Sequence, residues 1–313
     1  MKKSGISTLA HHNHFRSLLV LSCIVLLTAC IKVPEAVENR TVDADQDPSP
    51  SLSCHTRTPD HVVASHQSPA PQHLDANGFR LLNWNAFKGD RENWLKAFVA
   101  YSGEQDLVTL QEAYLTDEFR ALLRASHLQW DLATTFLRQQ HETGVMTLSR
   151  VKPDHVCVQR TMEPWLSLPK SALISRFPLK GSREALLVAN IHAVNFTLGT
   201  AAFRTQLRQL KHALEQHDGP IIVAGDFNTW SDERKRVLEQ TLIGPLALDK
   251  VPFDPAHLKT VFEHNLDYVF YRGLQVVARE VHDTTASDHN PMWVTFRLSG
   301  PGRIEQPLSL GGT

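Results

Sequence analysis

The chain has 313 residues, 42% of them hydrophobic and 21% charged, an ordinary globular composition with room for one large domain or two small ones. Its formal charge of −1 hides an uneven distribution: the first 30 residues hold Lys2, Lys3 and Arg16 and no acid, and the remainder carries 29 basic against 33 acidic side chains. A body with no basic excess excludes tight, purely electrostatic nucleic-acid binding, so a phosphate-bearing substrate has to be met by a local site or by metal.

The N-terminus reads as an address. Three basic residues precede an apolar run from Leu18 to Ala29, too short to span a bilayer comfortably and shaped like a secretory signal. The run closes Leu27-Thr28-Ala29-Cys30, which resembles the bacterial lipoprotein signal and implies cleavage before Cys30 and lipid on its sulfur. Acylation by more than one chain holds a protein firmly on a membrane. An uncleaved anchor helix is the alternative, and both readings place the body outside the cytoplasm. Lys32, as the residue two after the modified cysteine, implies the outer membrane. The cluster His11, His12 and His14 falls inside the discarded segment, residues 1–30.

Residues 31–77 are rich in Pro, Ser, Asp and His and show no apolar period, so this stretch is expected to be a disordered tether. Beyond Cys30 only Cys54 and Cys157 remain. Oxidising surroundings allow them to pair, and a free buried Cys157 is the alternative.

From residue 78 to 299 the pattern changes to a single α/β body, with a flexible tail at 300–313. Apolar runs at Arg80–Trp84, Asp106–Leu110, Gly144–Leu148, Ala172–Ser175, Leu186–Ile191, Ile221–Ala224, Tyr268–Tyr271 and Met292–Phe296 predict strands, several buried on both faces. Helical spacing covers Arg91–Tyr101, Asp117–Ser126, Ala201–Gln216 and Asp232–Leu242. Strands interleaved with helices, then hairpin-like neighbours, predict mixed or antiparallel sheets.

Chemistry-bearing residues fall where these strands end. Asn85 closes the first strand and Gln111-Glu112 the second, placing oxygen ligands for a hard cation at a sheet rim. Asn190-Ile191-His192 ends another. In Val223-Ala224-Gly225-Asp226-Phe227-Asn228 the glycine permits close backbone approach and is followed by Asp and Asn on one turn; a turn and helix cap is the plainer reading. Asp267 opens a strand, and Asp288-His289 precedes the last one. An adjacent Asp and His point in different directions in extended backbone, which suits a metal role for one and proton transfer for the other.

This ordered series, Trp-Asn, Gln-Glu, Asn-x-His, Gly-Asp-Phe-Asn, Leu-Asp-Tyr and Ser-Asp-His between Arg80 and Phe296, resembles the endonuclease/exonuclease/phosphatase superfamily. Within it the chain is similar to the YafD-type bacterial proteins at Thr143–Ser149 and Asn190–Phe196. The resemblance implies a four-layer sandwich, two mixed β-sheets face to face with helices outside, and one cleft at their upper edges. It also implies a phosphoester hydrolase in which water attacks a metal-bound phosphate. Glu112, Asn85 and Asp288 would bind Mg²⁺ or Mn²⁺; Asp226 would orient or deprotonate the water; Asn228 and Asn190 would meet the phosphate; Asp267 would orient His289, itself a base or a phosphate clamp; and His192 would hydrogen-bond the phosphate or protonate the leaving group. Whether Asp226 or His289 is the base stays open.

The histidine at 192, where apurinic endonucleases carry Pro-Asn-Gly, disfavours abasic-site repair. What remains is a nuclease or a phospholipid or sphingolipid phosphodiesterase, with a phosphomonoesterase or a catalytically dead, membrane-tethered binding module as alternatives. The partners expected are the phosphoester itself (nucleic acid, phospholipid or small phosphate ester) and, through the N-terminal lipid, a membrane; no obligate protein partner is inferred. The sequence contains no long basic loop for nucleic acid and no amphipathic stretch for lipid insertion. Trp94, Trp130, Trp165 and Trp230 are candidates for substrate stacking, though tryptophan is mostly a core residue.

Overall fold

The computed structural model of the protein describes residues 31–35, 38–41, 54–56 and 73–300 apart from 127, 165 and 181. Cys30 with the expected signal, Trp165 and the tail from 301 lie outside them. Along the chain run β1 (Ile31–Lys32), β2 (Glu38–Thr41), β3 (Cys54–Thr56), β4 (Leu74–Asp75), β5 (Phe79–Asn85), α1 (Trp94–Ser102), β6 (Leu107–Tyr114), α2 (Asp117–Ser126), β7 (Gln129–Arg138), β8 (His141–Ser149) and β9 (His155–Met162). They are followed by β10 (Pro169–Lys180), β11 (Ala185–His192), α3 (Ala201–Leu214), β12 (Ile221–Asp226), α4 (Asp232–Leu238), β13 (Asp249–Lys250), β14 (Thr260–Val261), β15 (His264–Asn265), β16 (Asp267–Arg272), β17 (Leu274–Val281) and β18 (Met292–Leu298).

Two sheets form. One has the order β1-β7-β8-β6-β5-β18-β17 with β2 also on β7; the other has the order β13-β16-β12-β11-β10-β9-β3 with β4 on β10. Strand alternation sends successive side chains to opposite faces, and the burial follows it. Leu81, Leu107, Val294, Phe177, Val188, Ile222 and Val269 fill the space between the sheets. Their chain neighbours Leu82 and Val108 pack with Phe98, Phe119 and Leu123 of α1 and α2 on one outer side. Ala189 and Val223 pack with Phe203, Leu207 and Leu210 of α3 and Val237 of α4 on the other. The result is the expected four-layer sandwich.

The described parts of the 31–77 stretch, expected to be a disordered tether, are short strands. β1 and β2 pair with β7, β3 pairs with β9, and β4 pairs with β10, so its described parts are sheet edges. An edge strand is held by backbone hydrogen bonds and needs no apolar period, so composition does not reveal these short strands. Cys54 lies opposite Cys157 in register and the two form a disulfide, the paired alternative of the two left open by sequence.

Helix boundaries also moved. Asn93 has left-handed backbone (φ 60), so α1 starts at Trp94 rather than Arg91. The predicted helix from Asp232 changes to a π turn over Glu239–Ile243. Strands β7, β9 and β17 have no counterpart among the predicted runs.

Candidate active site

The inner face of the sandwich turns polar toward one edge. On β5 the face carrying Leu81 continues to Asn83 and Asn85; on β6, from Leu107 to Thr109 and Gln111; on β11, from Val188 to Asn190 and His192; on β12, from Ile222 to Ala224 and Asp226. β12 is parallel to β11, with Asp226 opposite His192, and antiparallel to β16, with Asp226 opposite Asp267. Three chemical groups are thereby delivered to one rim by pairing alone. The close approach depends on Gly225, where an added Cβ would sit 1.9 Å from the Ile191 carbonyl oxygen.

Potential ligand atoms of Asp226, Asp267 and His289 lie within 4.8 Å of one another, and all three residues are buried. His289 Nδ1 is 2.6 Å from Asp267 Oδ2. Its loop is pinned to β5: the Trp84 indole donates to the His289 carbonyl (2.9 Å), the Ser287 hydroxyl donates to the Asn85 carbonyl (2.7 Å), and the His289 amide donates to Ser287 Oγ (3.1 Å). Asn85 Nδ2 donates to Asp226 Oδ2 (3.1 Å), and the Asn228 amide donates to Asp226 Oδ1 (2.9 Å).

Glu112 reaches the cleft through a bulge. The β6–β8 register shifts between Leu110 and Ala113, and Glu112 takes left-handed backbone, φ 51. Bulges of this kind re-aim a side chain next to active sites. Its carboxylate pairs with Lys88 and lies 3.8 Å from His192 Nε2.

The electrostatics separate the titrating groups. Burial first, then the adjacent Asp267, raises Asp226 to about 6. Burial lowers His289, but Asp267, through its charge and hydrogen bond, outweighs that and lifts it to about 10. His192 is pushed well below its ordinary value by burial and by the positive charges of Lys170, Lys88 and His289. Burial raises Glu112, yet Lys88 and Lys170 leave it lowered overall. At neutral pH the cleft therefore holds an imidazolium at 289, a neutral imidazole at 192 and a carboxyl at 226 poised to exchange a proton.

Two residues outside the sequence motifs complete the site. Lys170, at the start of β10, places Nζ 2.8 Å from His192 Nε2, and Lys88 holds Glu112. Neither carries a sequence signal, because a lone lysine before an apolar run or in a loop is usually solvated.

Three expectations are corrected or narrowed. Asn190 does not face a phosphate: fully buried, it accepts from Gln111 Nε2 (2.7 Å) and donates to the carbonyls of Met146 (2.8 Å) and Leu110 (3.2 Å). Lying two residues below His192 on the same face, it bridges the sheets beneath the cleft. Asn228 keeps one amide proton for a ligand, since Nδ2 already donates to the Ala193 carbonyl (2.9 Å). Of the three expected metal ligands, Asn85 Oδ1 accepts from the Phe87 amide (3.0 Å) and Glu112 pairs with Lys88, while Asp288 keeps a buried carboxylate oxygen with no hydrogen-bond partner. Of the tryptophans, Trp94 and Trp130 are core, and Trp230 donates from its indole to Asn195 Oδ1 (2.9 Å) near the cleft.

The residues nonetheless fit a hard divalent cation. Asp288 Oδ1 and Asp267 Oδ1 are buried without a hydrogen-bond partner, and a buried carboxylate oxygen needs a donor or a cation. The oxygen-rich donor set is of the kind Mg²⁺ or Mn²⁺ takes.

Comparison with known proteins places this geometry. A family model described as the Endonuclease/Exonuclease/phosphatase family matches residues 82–289. A UPF0294 protein of Vibrio campbellii (strain ATCC BAA-1116) is 41% identical over 232 residues, 73% of this chain and 81% of that protein. Among solved structures, an endonuclease/exonuclease/phosphatase from Beutenbergia cavernae DSM 12333 superposes with a TM-score of 0.55 at 20% identity, covering 72% of each chain. The human Nocturnin catalytic domain with bound sulfate anion gives 0.55 at 20% identity, covering 72% of this chain and 97% of that one.

Proposed function

The chain belongs to the endonuclease/exonuclease/phosphatase family, a family of phosphoester hydrolases, and from that premise we propose that it hydrolyses a phosphodiester with a bound divalent cation, Asp226 serving as the base. The observation that carries the reading is the buried cluster in which ligand atoms of Asp226, Asp267 and His289 lie within 4.8 Å of one another, where burial and Asp267 raise the Asp226 carboxyl to about 6 and Asp267, 2.6 Å from Nδ1, raises the His289 imidazolium to about 10. At pH 7 the first accepts a proton and the second keeps its own.

Asp226 is oriented by the Asn85 side chain and the Asn228 amide, leaving its carboxylate to take a proton from the attacking water as the water oxygen bonds to phosphorus. Asp267 occupies Nδ1 of His289, so Nε2–H, 3.9 Å from Asp288 Oδ1, is the donor offered to a phosphate oxygen. His289 is thus a clamp for the phosphate, and the choice of base falls on Asp226. Lys170, buried beside neutral His192, has its pKa lowered by burial against the raising charges of Glu112, Glu163 and Asp226, and its protonated form would add a second positive charge. Glu112 and Asp288 are the residues we assign to Mg²⁺ or Mn²⁺, with Asn85 adjoining. Such an ion, when bound, neutralises the phosphate and stabilises the departing oxygen.

The test is turnover of bis-p-nitrophenyl phosphate by the full chain with Mg²⁺, with Mn²⁺ and with excess chelator, followed by DNA, RNA, phospholipids and inositol phosphates. Metal-dependent release of nitrophenol supports the reading. No hydrolysis of any ester in the series, by folded protein, refutes it in favour of a binding module.

A further inference from the structure

The apolar side chains that the sandwich leaves exposed are unevenly placed. Among the described residues the large hydrophobics with substantial exposure are Ile31, Met162, Leu166, Phe196, Leu198 and Phe262, together with Val99 on α1 and Val277 on the edge strand β17. The first six all lie at the edge that carries the catalytic cluster. Met162 ends β9 and Leu166 lies in the β9–β10 connection that leads to Lys170. Phe196 and Leu198 follow His192, and the buried Glu163 joins the two loops by accepting the amides of Asn195 (2.5 Å) and Phe196 (3.3 Å). Phe262 caps the β14–β15 hairpin, which leads into Asp267. Scattered single exposed hydrophobics need no explanation; a set gathered on one rim marks an interaction face.

The first described residues, Ile31 and Lys32, lie at the same edge. β5 and β6 run in parallel toward Asn85 and Glu112, β8 runs opposite to β6, and β7 opposite to β8, so Arg138 at the end of β7 lies at the catalytic rim. Ile31 pairs with Arg138 and Lys32 with Leu137. Arg160 fixes the next residues, donating to the carbonyls of Pro34 (2.7 Å) and Glu35 (3.0 Å). Cys30, with its lipoprotein-type signal, is one peptide unit from Ile31, about 3.8 Å between Cα atoms. Acyl chains on that sulfur would enter a bilayer beside the cleft, with no spacer between.

We propose that this edge is applied to a lipid bilayer, and that the ester hydrolysed is a phosphodiester headgroup of a membrane lipid. The inference rests on the hydrolase reading above for its chemistry and on Cys30 acylation for its anchoring. The apolar set comes from the β1 end, two loops and a hairpin far apart in the chain, so no amphipathic segment marks it in the sequence.

The test uses the full-length, acylated protein in vesicles of phosphatidylethanolamine and phosphatidylglycerol, with brominated acyl chains as quenchers. An environment-sensitive fluorophore on Leu198→Cys is compared with one on Asp218→Cys, at the opposite edge just before β12. Quenching and a blue shift at 198 but not at 218 are expected. Equal behaviour at both positions overturns the proposed face, as does a blue shift at 198 that appears without vesicles, through self-association. In a second arm, Leu166→Asp combined with Leu198→Asp should lower headgroup release from vesicles at least tenfold and leave bis-p-nitrophenyl phosphate turnover unchanged. Undiminished vesicle hydrolysis by this variant contradicts the proposal. Quenching at 198 with no hydrolysis of either ester by the wild type sinks the hydrolase reading and supports the membrane face.

Discussion

Gln111 on one sheet donates its side-chain amide to Asn190 Oδ1 on the other across 2.7 Å, a tie between the two sheets beneath the Asn85–Asp226 contact at the cleft. Because Asn190 also donates to the carbonyls of Met146 and Leu110, its removal takes a hydrogen bond from each of three buried groups, Gln111 keeping its bond to Asn83 Oδ1. Asn190→Ala should lower stability by about 1–3 kcal/mol, the usual cost of leaving buried polar groups unpaired. Chemical denaturation measures the loss, and KM of the folded variant should be unchanged. A raised KM with unaltered stability would restore Asn190 to the phosphate.

The pH profile distinguishes the two candidate bases. Asp226 acts only when ionised, so kcat/KM should rise with pH through about 6. His289 must keep its proton to hold the phosphate, so the rate should fall as pH passes about 10. The free enzyme's essential groups set both limbs of kcat/KM. Were His289 the base, activity would increase toward pH 10 and show no acid limb near 6. Asp226→Asn should remove the acid limb together with most of the turnover.

Lys88 and a divalent cation compete for Glu112, since the ammonium already pairs with that carboxylate. Glu112→Gln should raise the Mg²⁺ concentration for half-maximal activity by about 10- to 100-fold, the range found even when a partner of a metal ligand is lost. Lys88→Met should shift it in the opposite direction. Metal titration of both variants decides the matter, and equal half-saturation in wild type and Glu112→Gln would take Glu112 out of the metal site.

Much of this architecture is legible in the sequence, because strands buried on both faces must be apolar at nearly every position. β11, β12 and β16 show this, and the groups that follow such runs necessarily sit at a sheet rim. Strands that carry polar residues inward or lie at an edge escape the rule. β7 buries Asp131, Thr134 and Thr135, β17 is largely exposed along its length, and β1 to β3 are held by backbone pairing. Asn190 was misplaced for a related reason: a two-residue step along a strand keeps the face but changes the depth, and only the packed sheets show which residue is uppermost. Lys88 and Lys170 acquire their roles from neighbours distant in sequence, which no local pattern encodes.

The central claim is that Asp267 and His289 act as one charged unit opposite Asp226, and a double-mutant cycle in kcat/KM on the soluble diester tests it most directly. Asp267 holds Nδ1 and stabilises the imidazolium, so Asp267→Asn and His289→Ala should each be severe. Groups that work together are strongly non-additive, so the double variant should lose little more than His289→Ala alone. Losses that add to within about 0.5 kcal/mol, the behaviour of independent sites, would contradict the account.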